Sequence, residues 1–172
     1  MKRSHPTYGL FWLFVLSGCE DVPAVLEGHT PSGVARDRLI GELSEDERFL
    51  LCSDTSRLWN PLVDPLRTCP AIAALLTDDP DACLEVQSRC ALAESYGSRR
   101  MDCFTLFEGQ EKIRVGVWLA CFEAIYATVA PRLRGTCQQP LGAMVGRDPS
   151  AALNELLRAG IEAPECTGIF GW

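Results

Sequence analysis

Asp79-Pro80-Asp81-Ala82-Cys83-Leu84-Glu85-Val86-Gln87-Ser88-Arg89-Cys90 is the stretch on which the fold turns. Asp79 suits a helix N-cap, and a proline directly after it suits the first helical position, where its missing N–H costs nothing. Cys83, Val86 and Cys90 then fall at i, i+3 and i+7, on one helical face. Seven residues of helix span about 10.5 Å. A disulfide needs Cα atoms within about 7 Å. Cys83 and Cys90 therefore cannot bond each other on a continuous helix, and each is expected to cross-link a different part of the chain. The neighbouring acids Asp78, Asp79 and Asp81 invite a calcium reading. The glycine and downstream ligands of a calcium loop are missing, so helix capping explains them better.

Nine cysteines stand in 172 residues. Metal sites made of cysteine normally show close C-x-x-C pairs with histidine nearby. No such pair occurs, and the histidines are only His5 and His29. The cysteines are read as structural disulfides formed in an oxidising compartment. Setting Cys19 aside leaves Cys52, Cys69, Cys83, Cys90, Cys103, Cys121, Cys137 and Cys166, an even set. Eight cysteines allow about 105 full pairings. Cys90 and Cys103 lie at similar distances before and after a turn at 94–98. Antiparallel packing across that turn would make Cys90–Cys103 a bridge.

The rest of the chain reads as further helices. Ser44-Glu45-Asp46-Glu47 is a capping box opening a short helix over about 44–53. Asn60-Pro61 and Asp64-Pro65 are chain breakers, which makes 54–67 a loop. An apolar run follows from Ala71 to Leu76. A helix is expected to resume near Ser98 or Arg99, carrying Cys103, Phe104 and Leu106. Lys112 to Val129 is the longest helical candidate, with Ile113, Val117, Cys121 and Ile125 or Tyr126 spaced for burial; Val115–Trp118 could instead be a short strand. Asp148-Pro149 starts a last helix that Gly160 stops. Three cysteines, at 83, 103 and 121, precede large apolar residues at spacings of 20 and 18 residues. They could face one shared core. The fold class is mainly α: a small disulfide-stapled domain of about four to six short helices over 43–172.

The N-terminus reads differently. Lys2 and Arg3 precede the apolar run Leu10 to Leu16, then Ser17 and Gly18. This is the layout of a secretory signal over 1–18. The run is too short to cross a bilayer, which takes about 20 apolar residues. Leu16-Ser17-Gly18-Cys19 resembles the lipobox of bacterial lipoproteins. The resemblance implies cleavage before Cys19 and acylation of Cys19. Each buried acyl CH₂ contributes about 0.8 kcal/mol, and several chains together anchor firmly. The competing reading is a soluble secreted chain with Cys19 in a disulfide. Residues 19–42 hold Pro23, Gly28, Pro31, Gly33 and Gly41 and read as the lipidated cysteine with a flexible tether.

Leu43-Ser44-Glu45-Asp46-Glu47 leading to Leu51-Cys52, then Asp81-Ala82-Cys83, Cys90, Tyr96-Gly97 and Cys103, resembles a group of Cys-rich exported lipoproteins of myxobacteria and their relatives. The likeness covers roughly residues 43–106. It implies an envelope location but no catalytic residue.

Composition narrows function further. Net charge is -7, and the leader's two basic residues leave -9 on the remainder. Such a surface repels phosphate backbones, so no nucleic-acid partner is expected. Phosphate loops, dinucleotide fingerprints and haem-attachment motifs are absent. His29 is the only histidine after the leader, and its place in the tether argues against a Ser-His-Asp or Cys-His centre. No catalytic residue, metal or cofactor is assigned. The expected function is a membrane-anchored envelope lipoprotein with a non-enzymatic binding or structural role. It would be held outside the cytoplasm by lipid on Cys19 and could meet an envelope protein or surface partner. The alternative is an extracytoplasmic hydrolase working with carboxylates alone.

Overall fold

The computed structural model describes residues 28–92, 101–103 and 105–170. The leader 1–18, Cys19 and the turn at 94–98 lie outside these residues. The architecture is mainly helical: α1 (Glu45–Val63), α2 (Pro65–Leu76), α3 (Pro80–Leu92), α4 (Val115–Val129) and α5 (Pro149–Ile161), with short 3₁₀ turns between some of them. Among the described residues the only β pairing is in isolated bridges.

Each helix start follows its local chemistry. Ser44 caps α1 through a full capping box: its hydroxyl accepts from the Glu47 amide, and Glu47 accepts from the Ser44 amide. Asp64 accepts from the Leu66 amide ahead of α2, and Asp79 from the Ala82 amide ahead of α3. Asp148 accepts from the Ser150 and Ala151 amides ahead of α5. Helix α4 has no side-chain cap. Its exposed first-turn amides are instead met by another segment, as Val115 donates to the Arg38 carbonyl at 2.9 Å and Gly116 to the Arg36 carbonyl at 2.8 Å.

That pairing corrects the reading of residues 28–42 as tether. Ile40 and Gly41 donate to the carbonyls of Ile113 and Glu111, so 36–41 runs antiparallel to 111–116. Val34, Ile40 and Leu43 are buried in the main core. The glycines belong to this contact, because a Cβ on Gly41 would stand 2.9 Å from Glu111 and one on Gly116 would stand 3.1 Å from the Arg36 carbonyl oxygen. Abundant Pro and Gly here marks close backbone approach and turns.

Helix α1 is longer than expected, because Asn60-Pro61 does not end it. Pro61 removes one helical donor near the C-terminal end, and burial of Leu62 and Val63 in the core offsets the cost. Asp64 then closes α1 with its amide and opens α2 with its carboxylate. Helix α4 spans Val115–Val129, which excludes the strand alternative. Its buried face is Val115, Trp118, Leu119, Cys121, Phe122, Ile125 and Val129. Val117 and Tyr126 are 45% and 38% exposed, so that part of the expected face is rotated. The reason is that α4 is covered by both α1 and α5. The residues around Cys103 run in hydrogen-bonded turns, with Leu106 donating to Asp102 and Gln110 to Phe107.

The eight cysteines from Cys52 to Cys166 all pair: Cys52–Cys103, Cys69–Cys90, Cys83–Cys137 and Cys121–Cys166. Cys83 and Cys90 bond different partners, as helix geometry requires. The expected Cys90–Cys103 bridge is wrong. Helix α3 packs on α2, which sets Cys90 against Cys69, while the turns near Cys103 lie against α1. The three similar Cys motifs do not share a core either. Cys83 sits with Ala73, Ala74 and Cys137 in a small separate cluster. The bridges close loops of 21 to 54 residues. On the chain-entropy account each contributes on the order of 3–4 kcal/mol.

Gly160 lies inside α5 and does not stop it. A Cβ there would stand 3.0 Å from the Ile125 Cα and 3.2 Å from a Val129 methyl, so the glycine sets the α4–α5 approach. Alanine gains about 1 kcal/mol of helix propensity but overpacks a tight contact at about 1–3 kcal/mol. The contact is to backbone, which cannot rotate aside. Gly160→Ala is expected to lower stability by about 1 kcal/mol in urea unfolding; a rise would show that α5 moves away freely.

The Ser44 amide hydrogen bond, then the Ser44 hydroxyl, then Arg38 hold the partly exposed Glu47 carboxyl below its ordinary value. A carboxyl with a depressed folded-state pKa stabilises the fold above its unfolded value, and that contribution fades as pH falls through the folded one. Stability measured from neutral to acid pH should therefore fall less steeply in Glu47→Gln than in the parent chain. Identical slopes would show that the capping box adds nothing titratable.

Candidate functional site

Three places gather polar or unusual chemistry. The first is Asp54, a carboxylate on α1 that is only 3% exposed. Its Oδ2 accepts from the Ser32 amide at 3.1 Å and from the Ser32 hydroxyl. Ser32 Oγ also lies 3.2 Å from the Leu50 carbonyl. Arg57 stands 4.0 Å from Oδ1. Thr30 accepts from the Val34 amide, and Gly33 turns the chain at φ +92°. The carboxylate thus pins the loop 30–34 onto α1. Neighbouring Thr55 accepts from the Trp118 indole at 3.0 Å and ties α1 to α4.

The second is a groove of about 780 Å³ between α1, α5 and the C-terminal turns. Trp59, Leu157, Ile161 and Phe170 line it, with Arg158 and Glu162 at its edge. Those two charges pair at 2.8 Å. Below the groove runs an aromatic stack: Phe122 meets Trp59, Trp118 and Phe170 with ring centroids 5.0–6.1 Å apart, and Phe107 meets Trp118 at 5.5 Å. These are the edge and tilted geometries that aromatic quadrupoles favour. Ile169 is buried and its carbonyl accepts from Gln110, so the described end of the C-terminal segment packs on its own domain.

The third is an open cleft of about 800 Å³ between the end of α2, the 3₁₀ turn Ala130–Arg134, the loop after it and α5. Leu75, Leu141, Met144 and Leu156 give it apolar walls, and Arg132 and Arg134 line it from the turn. Its loop wall is fixed. Leu141 and Met144 donate to the Ala74 and Leu75 carbonyls at 2.7 Å, closing the open carbonyl end of α2. Cys137 is bonded to Cys83 on α3. Glu155, the one acid lining this cleft, pairs with Arg147 at 2.6 Å.

The sequence singled out cysteines, and the structure assigns eight of them to bridges rather than to chemistry. It gave no hint of Asp54 or of the Arg132–Arg134 cleft. The only available signal for the cleft was charge: residues 124–147 contain three arginines and no acid in a net-acidic chain. Asp78 and Asp81 join no metal-binding group, and no cluster of His, Cys, Asp or Glu able to hold a metal occurs among the described residues. His29 sits in a bridge with Ala35. No helix among the described residues is long and apolar enough to cross a membrane. Compared with family models, curated proteins and solved structures, the chain matches none.

Hydrogen bonds to a charged acceptor contribute about 1.5–3 kcal/mol. Asp54→Ala removes the acceptor of the Ser32 amide and one of two acceptors near its hydroxyl, so a stability loss of about 2 kcal/mol is expected. Amide exchange across 30–36 should quicken while α5 stays protected. Uniform exchange changes would show that Asp54 supports the whole fold rather than this loop.

Proposed function

We propose that the chain is a lipoprotein of a bacterial cell envelope, anchored by acyl chains on Cys19, with a non-enzymatic binding or structural role. The observation that carries this reading is cysteine arithmetic. Four bridges use eight of nine cysteines. Cys19, which closes the lipobox-like Leu16-Ser17-Gly18-Cys19, is left over. An odd cysteine in an exported chain needs a use, and acylation supplies one. Four bridges also fit an oxidising compartment outside the cytoplasm.

The site chemistry favours binding over hydrolysis. A carboxylate-only hydrolase needs two acids facing a substrate. Each of the two cavities described above has one carboxylate, and each is held in an ion pair.

Intact mass of the chain from bacterial membranes tests the reading. The expected product starts at Cys19, carries fatty acyl groups and has no free thiol. Cys19→Ala should accumulate as uncleaved precursor without label from radioactive palmitate. A mature chain with unmodified Cys19, or an uncleaved and reduced chain in the cytoplasm, would overturn the proposal.

A further inference from the structure

The two large cavities differ in what could select an occupant. In the groove beside Trp59 the edge charges, Arg158 and Glu162, satisfy each other. In the cleft lined by Leu75 and Met144 they do not. Arg132 and Arg134 are exposed and make no hydrogen bond or ion pair among the described residues, while Glu155 is matched by Arg147. The cleft therefore presents two uncompensated guanidinium groups beside apolar walls, on a chain whose net charge is -7. A guanidinium binds carboxylate or phosphate oxygens through its planar fork of donors. Volume near 800 Å³ falls within the range of small-molecule sites.

We infer that this cleft is a binding site for a small anionic amphiphile, with its carboxylate or phosphate head on Arg132 and Arg134 and its hydrocarbon on Leu75, Leu141, Met144 and Leu156. The geometry is prepared before binding. The Cys83–Cys137 bridge and the hydrogen bonds from 141–144 to the end of α2 hold the loop wall, so little ordering entropy remains to be lost. Leu141, 61% exposed, gains burial when hydrocarbon covers it. The inference rests on the binding role proposed above but not on the anchor at Cys19, so either can fail alone.

The test is titration calorimetry of the oxidised full chain with sodium dodecanoate and dodecyl phosphate below their micellar range. Dodecanol and dodecyltrimethylammonium serve as uncharged and cationic counterparts. Saturable one-to-one binding of the two anions is expected, with weaker or no binding of the counterparts. The double variant Arg132→Ala/Arg134→Ala should bind about tenfold or more weakly, as loss of charged hydrogen bonds implies. Both side chains are exposed, and circular dichroism checks that the fold is kept. The double lysine variant should retain part of the affinity. Equal affinity for anionic, neutral and cationic chains would overturn the inference, as would unchanged binding in the double alanine variant. So would adsorption to phosphatidylglycerol vesicles without saturable binding of free dodecanoate, which would mark a membrane-facing surface instead.

Discussion

Covalent cross-links to irregular segments are the constraint on which this structure depends. Three of the four bridges join a helix to a stretch that is not α-helical: Cys103 lies in turns, Cys137 in the loop after α4, and Cys166 in a 3₁₀ turn. Among the described residues, four of the five helices have side-chain caps at their starts, and all have buried faces of their own. The irregular stretches around Cys103, Cys137 and Cys166 fully bury few apolar side chains besides the cysteines, chiefly Phe107 and Ile169, too little burial to repay the entropy of ordering them. A bridge removes that entropy from the unfolded chain, where it would otherwise oppose folding. Cys69–Cys90 is the exception, since it links α2 and α3, two helices already in contact.

Between the bridges, α2 and α4 form the centre. Helix α2 buries every residue from Ala71 to Leu76, and α4 offers one face to α1 and another to α5. The start of α4 and the end of α2 are completed by distant backbone. Residues 36–38 accept from the first amides of α4, and 141–144 donate to the last carbonyls of α2. Loops that look dispensable in sequence thus finish the hydrogen bonding of the two core helices. The same arrangement builds the cleft with Arg132 and Arg134, because the loop that closes α2 is also its wall.

An exported, lipid-anchored reading and an amphiphile-binding cleft are consistent in physical terms. A bridged domain tolerates conditions outside the cytoplasm, where thiols oxidise. A fixed, half-apolar cleft carrying unpaired guanidinium groups selects by charge as well as by greasiness, whereas the edge charges of the groove beside Trp59 are paired with each other.

The sequence by itself determined the class of the molecule. Capping signals at Ser44, Asp79 and Asp148 located three helix starts, because a cap acts on amides only two or three residues away. Helical spacing showed that Cys83 and Cys90 must find separate partners. Tertiary structure alone decided the pairing, since the partner of Cys90 depends on which helix α3 packs against. It also decided that α1 runs through Pro61, that residues 28–42 fold onto the body, and that Gly160 serves contact with α4 rather than a helix end. The Asp54–Ser32 contact and the cleft were invisible for the same reason. Their residues are distant in the chain, and only packing brings them together.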